Sequence, residues 1–173
     1  MKKILFIIIA LLLSYCGFSQ CTITSLPYSE DFTSYGQGYT AFPTCWYNSC
    51  TGNNSLYIYN NKLIFHFYNC TAITPAFDSS INIKNLSINF GLKHSIDGFY
   101  ANTGKMYVGV MDNPTDLNSF DPIAVFSLPV DVQNNVTVNF NHYQGEGHHI
   151  AFKASHQVLT DLNIDFTPLC APP

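Results

Sequence analysis

The chain of 173 residues contains no arginine and only seven lysines. Arginine's planar fork is the usual bidentate clamp for phosphate, so that device is missing outright. Lys2 and Lys3 belong to an N-terminal leader. The remainder sets Lys62, Lys84, Lys93, Lys105 and Lys153 against eleven acidic residues, a net charge of −6. Binding nucleic acid requires clustered cations that displace counterions from phosphates, and no such cluster occurs. An anionic membrane surface is excluded on the same ground. Charged residues of both signs make up only 10% of the chain, so its surface is expected to carry neutral Asn, Thr and Ser instead.

Motifs of chemistry are also missing. No CxxC pair occurs, which removes zinc-ribbon and thioredoxin-type sites. GxSxG, HExxH and a phosphate-cradling Gly loop are absent as well. No segment carries a convincing helical stripe, which disfavours a helix-rich α/β enzyme.

The apolar run Ile4 to Leu13 is too short to cross a bilayer, which takes roughly 20 residues. With Lys2 and Lys3 before it, and Gly17 and Ser19 at the −3 and −1 positions of a cut before Gln20, it reads as a cleavable signal peptide over residues 1–19. Bulky Tyr15 argues against lipoprotein processing at Cys16. The mature protein is expected to be secreted, extracellular or at the cell surface, with the periplasm as the other destination and no membrane insertion after cleavage. About 154 mature residues suit one domain with a real core. The 14 Phe and 11 Tyr set it apart from a disordered chain.

Export permits disulfides. Five cysteines follow the leader, namely Cys21, Cys45, Cys50, Cys70 and Cys170. An odd number leaves one unpaired. Cys21 and Cys170 bracket the domain, and a bridge closing its two ends is the preferred pairing.

Period-two alternation dominates what is present. Leu86, Ile88, Phe90 and Leu92 alternate with Ser87, Asn89, Gly91 and Lys93. Val136, Val138 and Phe140 form a second face, Met106, Val108 and Val110 a third, and Ile150 with Phe152 a fourth. Leu56 to Tyr59 and the row Leu63, Phe65, Phe67 flank Asn60-Asn61 and predict a hairpin. Leu159 to Phe166 predicts a last strand, and Asp116 to Phe120 one short helical turn. The spacing predicts an all-β sandwich or jelly roll.

Five motifs follow one another in this order: Leu26-Pro27-Tyr28-Ser29-Glu30-Asp31-Phe32, Pro43-Thr44-Cys45-Trp46, Val108 to Asp116, Gly145 to Lys153, and Asp161 nine residues before Cys170. Together they resemble the MAM-like jelly-roll modules of secreted Bacteroidetes proteins, which include the cleaved-adhesin domains of gingipain-type proteases and the choice-of-anchor J domain. The resemblance covers residues 20–170. Residues 171–173 read as the start of a linker or the chain end. The resemblance implies a jelly-roll β-sandwich without enzymatic activity that binds glycans or extracellular proteins, a host protein among them. It also implies structural calcium, held by the early acidic pair Glu30 and Asp31 and by the late Asp161, with Leu162 standing where the family has a second polar residue. Hard cations take oxygen ligands of this kind.

Tyr and Trp stack on pyranose faces while their polar tips hydrogen-bond, which makes Trp46, Tyr47, Tyr57, Tyr59, Tyr100 and Tyr143 candidates. The family packing motif assigns Trp46 to the core. The ligand-binding set is therefore Tyr57, Tyr59, Tyr100 and Tyr143. Tyr57 and Tyr59 share one strand face opposite Leu56 and Ile58. His142, His148, His149 and His156 lack zinc-ligand spacing, and they read as surface or turn histidines, His148 and His149 pointing to opposite faces. Two carboxylates of a hydrolase, Glu30 with Glu146 or Asp161, can be paired only on paper. The expectation is a non-catalytic binding module. The alternative is a structural or accessory domain that spaces or presents a neighbour.

Overall fold

The computed structural model describes residues 21–51, 55–66, 69–93, 104–128, 132–155, 158–160 and 164–168. Fourteen strands run through them: β1 Thr22–Ile23, β2 Tyr28–Glu30, β3 Tyr47–Cys50, β4 Ser55–Tyr59, β5 Lys62–His66, β6 Cys70–Ile73, β7 Ala76–Phe77, β8 Leu86–Lys93, β9 Gly104–Met111, β10 Asp121–Leu128, β11 Gln133–Asn139, β12 His149–Ala154, β13 Val158–Thr160 and β14 Ile164–Pro168. Among the described residues the only helical pieces are two 3-10 turns, Ile83–Asn85 and Leu117–Ser119. Asp116 caps the second by accepting from Asn118 N–H, within the stretch where the sequence predicts a turn.

The strands form two large sheets and a small parallel pair of β1 with β7. One large sheet has the order β10-β9-β12-β6-β3. The other has seven strands with β8 at its centre. β11 pairs along one edge of β8, and its other edge is shared by β14, which leads to β2, and β13, which leads to β5 and β4. This is a jelly-roll β-sandwich.

Alternation decides which side chains meet between the sheets. Leu86, Ile88, Phe90 and Leu92 of β8 join the core, as do Met106, Val108 and Val110 of β9 and Ile150 and Phe152 of β12. A line of rings crosses it: Phe32 meets Trp46 edge-on at 5.7 Å, Trp46 stacks on Phe152 at 6.4 Å, and Phe152 meets Phe90 edge-on at 5.4 Å. Such tilted and offset pairs contribute about 0.5–1.5 kcal/mol each beyond the area they bury.

The predicted hairpin is present as β4 and β5. Asn60 and Asn61 both take left-handed backbone, φ 51° and 57°, a conformation asparagine tolerates and the two-residue turn requires. Leu63 and Phe65 are buried, whereas Phe67 lies outside the described residues.

The cysteine pairing differs from the expectation. Cys21 is bonded to Cys45, and Cys50 to Cys70. Cys21 cannot close the two ends because β1 does not lie beside the last strand. It pairs with β7, while β14 pairs with β2 and β8. Cys50 and Cys70 face each other in the β3–β6 register. Cys170 lies outside the described residues. Bridges that close loops of this length restrict the unfolded chain by about 3 kcal/mol each in the chain-entropy account. The predicted single strand Leu159 to Phe166 is two strands with different partners, since β13 pairs with β5 and β14 with β2.

Phe152 is fully buried between Trp46 and Phe90. Phe152→Ala is expected to cost about 3–5 kcal/mol, measured as the shift in urea unfolding of the mature domain.

Candidate functional site

The two outer faces of the sandwich differ in how much of them is open. Residues opposite each other in a sheet register point to the same side. The β8 alternation therefore puts Asn89, Gly91 and Lys93 on the outer face of the seven-stranded sheet, with their register partners Thr137, Asn135 and Gln133 of β11. Asp165 of β14 lies opposite Asn89. Asn89, Gly91, Gln133, Asn135, Thr137 and Asp165 line a groove of about 440 Å³, within the range of small-molecule sites, about 300–1,000 Å³. Thr137 Oγ1 donates to Asn89 Oδ1 at 2.5 Å across the strands. Gly91 offers no side chain in the middle of the central strand and is itself buried.

The same face carries an aromatic end. Tyr57 and Tyr59 of β4 lie outward, opposite Ile64 and Lys62 of β5, while Leu56 and Ile58 are buried. Tyr39 packs on Tyr57 with ring centroids 4.5 Å apart, and His66 meets both rings edge-on at 5.8 and 5.9 Å. Tyr39 remains 68% exposed and Tyr59 56%. A local turn places Tyr39. Gly38 N–H donates to Ile58 O at 2.7 Å, Ile58 N–H donates to Ala41 O at 2.9 Å, and Ala41 N–H closes the turn onto Gly38 O. Gly38 has φ 103°, a backbone conformation open to glycine and strained for other residues. Gln37 Nε2 donates to Asn61 Oδ1 at 3.1 Å and ties this loop to the hairpin turn.

The remaining sequence candidates fall elsewhere. Tyr143 is buried, and its hydroxyl accepts from Gly147 N–H at 2.7 Å. It is a core residue, not a surface platform, because the Gly145–Gly147 loop wraps its ring. A Cβ on Gly145 would come within 2.6 Å of the Tyr143 ring carbon bearing the hydroxyl, and one on Gly147 within 2.8 Å of the hydroxyl itself. Tyr100 lies outside the described residues. Trp46 is buried, as the packing motif implies. Tyr47 is half exposed on the other sheet.

Glu30 is buried and turned inward. Its Oε1 accepts from Phe32 N–H at 2.8 Å, and its Oε2 accepts from the Tyr35 hydroxyl at 2.8 Å and the Tyr28 hydroxyl at 3.5 Å. Burial first, and then Glu30, push the hydroxyls of both Tyr35 and Tyr28 above the usual tyrosine range. Asp31 is exposed, and its Oδ1 accepts from Thr33 N–H and Oγ1 at 2.9 and 2.7 Å, bonds that hold its carboxyl below the ordinary aspartate value. Asp161 lies outside the described residues. With Glu30 engaged by three protein donors, Glu30 and Asp31 do not by themselves make an oxygen cage for calcium.

His149 departs from the expectation of a surface histidine. It is buried, with Nδ1 2.8 Å from Thr74 O and its ring against Tyr47 at 5.8 Å. His148 is exposed, so the two neighbours do point to opposite sides. Burial holds the His149 imidazole below its usual value, with a smaller lowering from His148 and an opposing effect of the Thr74 carbonyl.

No protein-family model and no characterised protein sequence matches this chain. Solved structures do. The K2 cleaved adhesin domain of Lys-gingipain is similar over 82% of this chain and 98% of its own length, with TM-score 0.59 and 11% identity. The K3 cleaved adhesin domain of Lys-gingipain from Porphyromonas gingivalis is similar over 81% and 97%, with TM-score 0.55 and 13% identity. A xylan-binding module, CBM15, is similar over 83% and 96%, with TM-score 0.55 and 12% identity. At these identities the likeness establishes the fold alone, a β-sandwich.

The unfolded chain takes up a proton on His149 near its ordinary value, about pH 6.5, and the buried ring resists it. Stability contributed by the neutral ring is present above that pH and lost as pH falls through it. The melting temperature is expected to drop as pH is lowered from about 7.5 to about 5.5, and to drop less in His149→Gln. Equal drops in both proteins would show that His149 does not set this dependence.

Proposed function

We propose that this domain is a secreted, non-catalytic glycan-binding module whose ligand lies on the outer face of the seven-stranded sheet. The observation that carries this reading is the pairing, on one face, of the open Tyr39–Tyr57 rings with a groove of neutral amides and hydroxyls. Aromatic rings cover the apolar faces of sugars, and a few placed polar groups take their hydroxyls. That combination favours a glycan over an extracellular protein as partner. The fold hosts adhesin domains and a xylan-binding module in other proteins, and function is decided by the site and not by the fold. Among the described residues the groove holds one carboxyl group, Asp165, whereas a glycosidase needs a pair. The two bridges suit an oxidising compartment, in keeping with export on residues 1–19.

The test is affinity electrophoresis and calorimetry of the mature domain against a panel of soluble polysaccharides. The double variant Tyr39→Ala/Tyr57→Ala is expected to weaken binding about tenfold or more, on the order of 1.4 kcal/mol, with little change in melting temperature. Binding to no polysaccharide, or equal binding by the double variant, would sink the reading.

Calcium enters this proposal through Glu30, Asp31 and Asp161, of which Asp31 is the exposed one among the described residues. A calcium-dependent rise in melting temperature that Asp31→Asn abolishes supports it. A domain whose melting temperature is the same in calcium and in chelator speaks against it.

A further inference from the structure

We infer that the ligand of this face is a neutral sugar with adjacent free hydroxyls, and that Asn89, Thr137 and Asp165 form the subsite that reads them. This rests on the glycan-binding reading above and narrows it to a substrate class.

The inference begins with the orientation of one amide. Thr137 Oγ1 donates to Asn89 Oδ1, so one acceptor site of the amide oxygen is used within the protein, and the NH2 end of Asn89 supplies the donors for a ligand. Thr137 stands opposite Asn89 on β11, and Asp165 stands opposite it on β14. The three residues therefore form one row across three strands, about 4.8 Å apart from strand to strand. An amide NH2 only donates, and an ionised carboxylate only accepts. Two neighbouring sugar hydroxyls match that arrangement, one accepting from Asn89 and the other donating to Asp165. Hydrogen bonds to an ionised acceptor are roughly twice as strong as neutral ones, which makes Asp165 the stronger half of the pair.

Charge then selects among sugars. A uronic acid or sulfated sugar in the row would set its anion against Asp165. The chain has no arginine, and no lysine is among the described residues lining the groove. Lys93 is on the same face opposite Gln133, four residues along β8 from Asn89, roughly 13 Å by strand rise. That separates it by more than a Debye length at physiological salt, about 8 Å, from an anion held in the Asn89–Asp165 row, while it stands in register with Tyr57 through Leu159 and Ile64. The aromatic platform lies three strand spacings from β8, roughly 14 Å, by way of β13 and β5. Tyr57 is in register there with Lys93, so the Asn89 row is offset from it by roughly 13 Å along β8 as well. A ligand engaging both ends is an oligosaccharide and not a single ring.

The experiment uses the mature domain with xylohexaose and cellohexaose as neutral probes and oligogalacturonate as the anionic one, measured by calorimetry at low and at physiological salt. The neutral probes are expected to bind and oligogalacturonate not to bind. Asp165→Asn should lower neutral affinity about tenfold, the loss of one strong charge-assisted bond, and narrow the gap to the anionic probe at low salt. Asn89→Asp, which exchanges the donor for a second acceptor, should abolish neutral binding, with melting temperatures reporting that both variants are folded. If the Tyr39→Ala/Tyr57→Ala variant loses binding while Asp165→Asn and Asn89→Asp bind as the parent does, the subsite is overturned and the glycan-binding reading stands. Tighter binding of oligogalacturonate than of the neutral probes overturns the subsite as well. Binding of no probe overturns both.

Discussion

The contact between Phe152 of one sheet and Phe90 of the other is the interaction on which the remaining structure depends. The rings meet edge to face at 5.4 Å, and Trp46 packs against the far side of Phe152. Two sheets, each apolar on its inner face, have to bury those faces against each other, and large aromatics fill the space between them. The disulfides support this arrangement from outside the ring stack. One ties the start of the domain to the loop before β3, and the other joins β3 to β6 at facing positions.

With the inner faces committed, the outer faces are what remain for function, and they are used differently. On the five-stranded sheet, Phe120 folds over Gly109, where a Cβ would lie 2.7 Å from its ring. Ile73, Met111 and Ala151 complete a small apolar cluster beneath it, and Lys153 Nζ sits 5.7 Å above the Phe120 ring. That part of the face is occupied by the protein's own side chains. The seven-stranded sheet has instead an open row of polar groups and a ring platform. This asymmetry is the ground on which the glycan is proposed for that side.

Much of this was legible in the residues. The β8 alternation placed Leu86, Ile88, Phe90 and Leu92 in the core, because a strand has a period of two and one face must be dry, although Ser87 and Gly91 on the other face are buried too. Asn60-Asn61 announced its turn through a local conformational preference that needs no tertiary help. Tyr57 and Tyr59 were placed outward by the same alternation once Leu56 and Ile58 were taken as core. Other features were not legible. Tyr39 follows Gly36 and Gly38 in a loop with no periodic signal, and the Gly38–Ile58 and Ile58–Ala41 backbone bonds bring it over Tyr57. Tyr143 looked like any tyrosine in a polar loop, yet Gly147 N–H captures its hydroxyl and the loop closes over its ring. Nothing in the sequence shows that Glu30 is turned toward Tyr28, Tyr35 and the Phe32 backbone.

The sequence alone determined the class of the protein: strands by alternation, an anionic arginine-free surface by composition, and the exclusion of phosphate-binding partners that follows from it. These are local or additive properties, which a linear chain displays directly. Which cysteines meet, which tyrosines are open and which carboxyl stands beside Asn89 are set by the fold. Each of those depends on strand pairing between residues far apart in the chain: Asp165 and Asn89 are 76 positions apart and become neighbours only through the β8–β14 register. Register follows from the total burial of both inner faces, and no short stretch of sequence contains that sum.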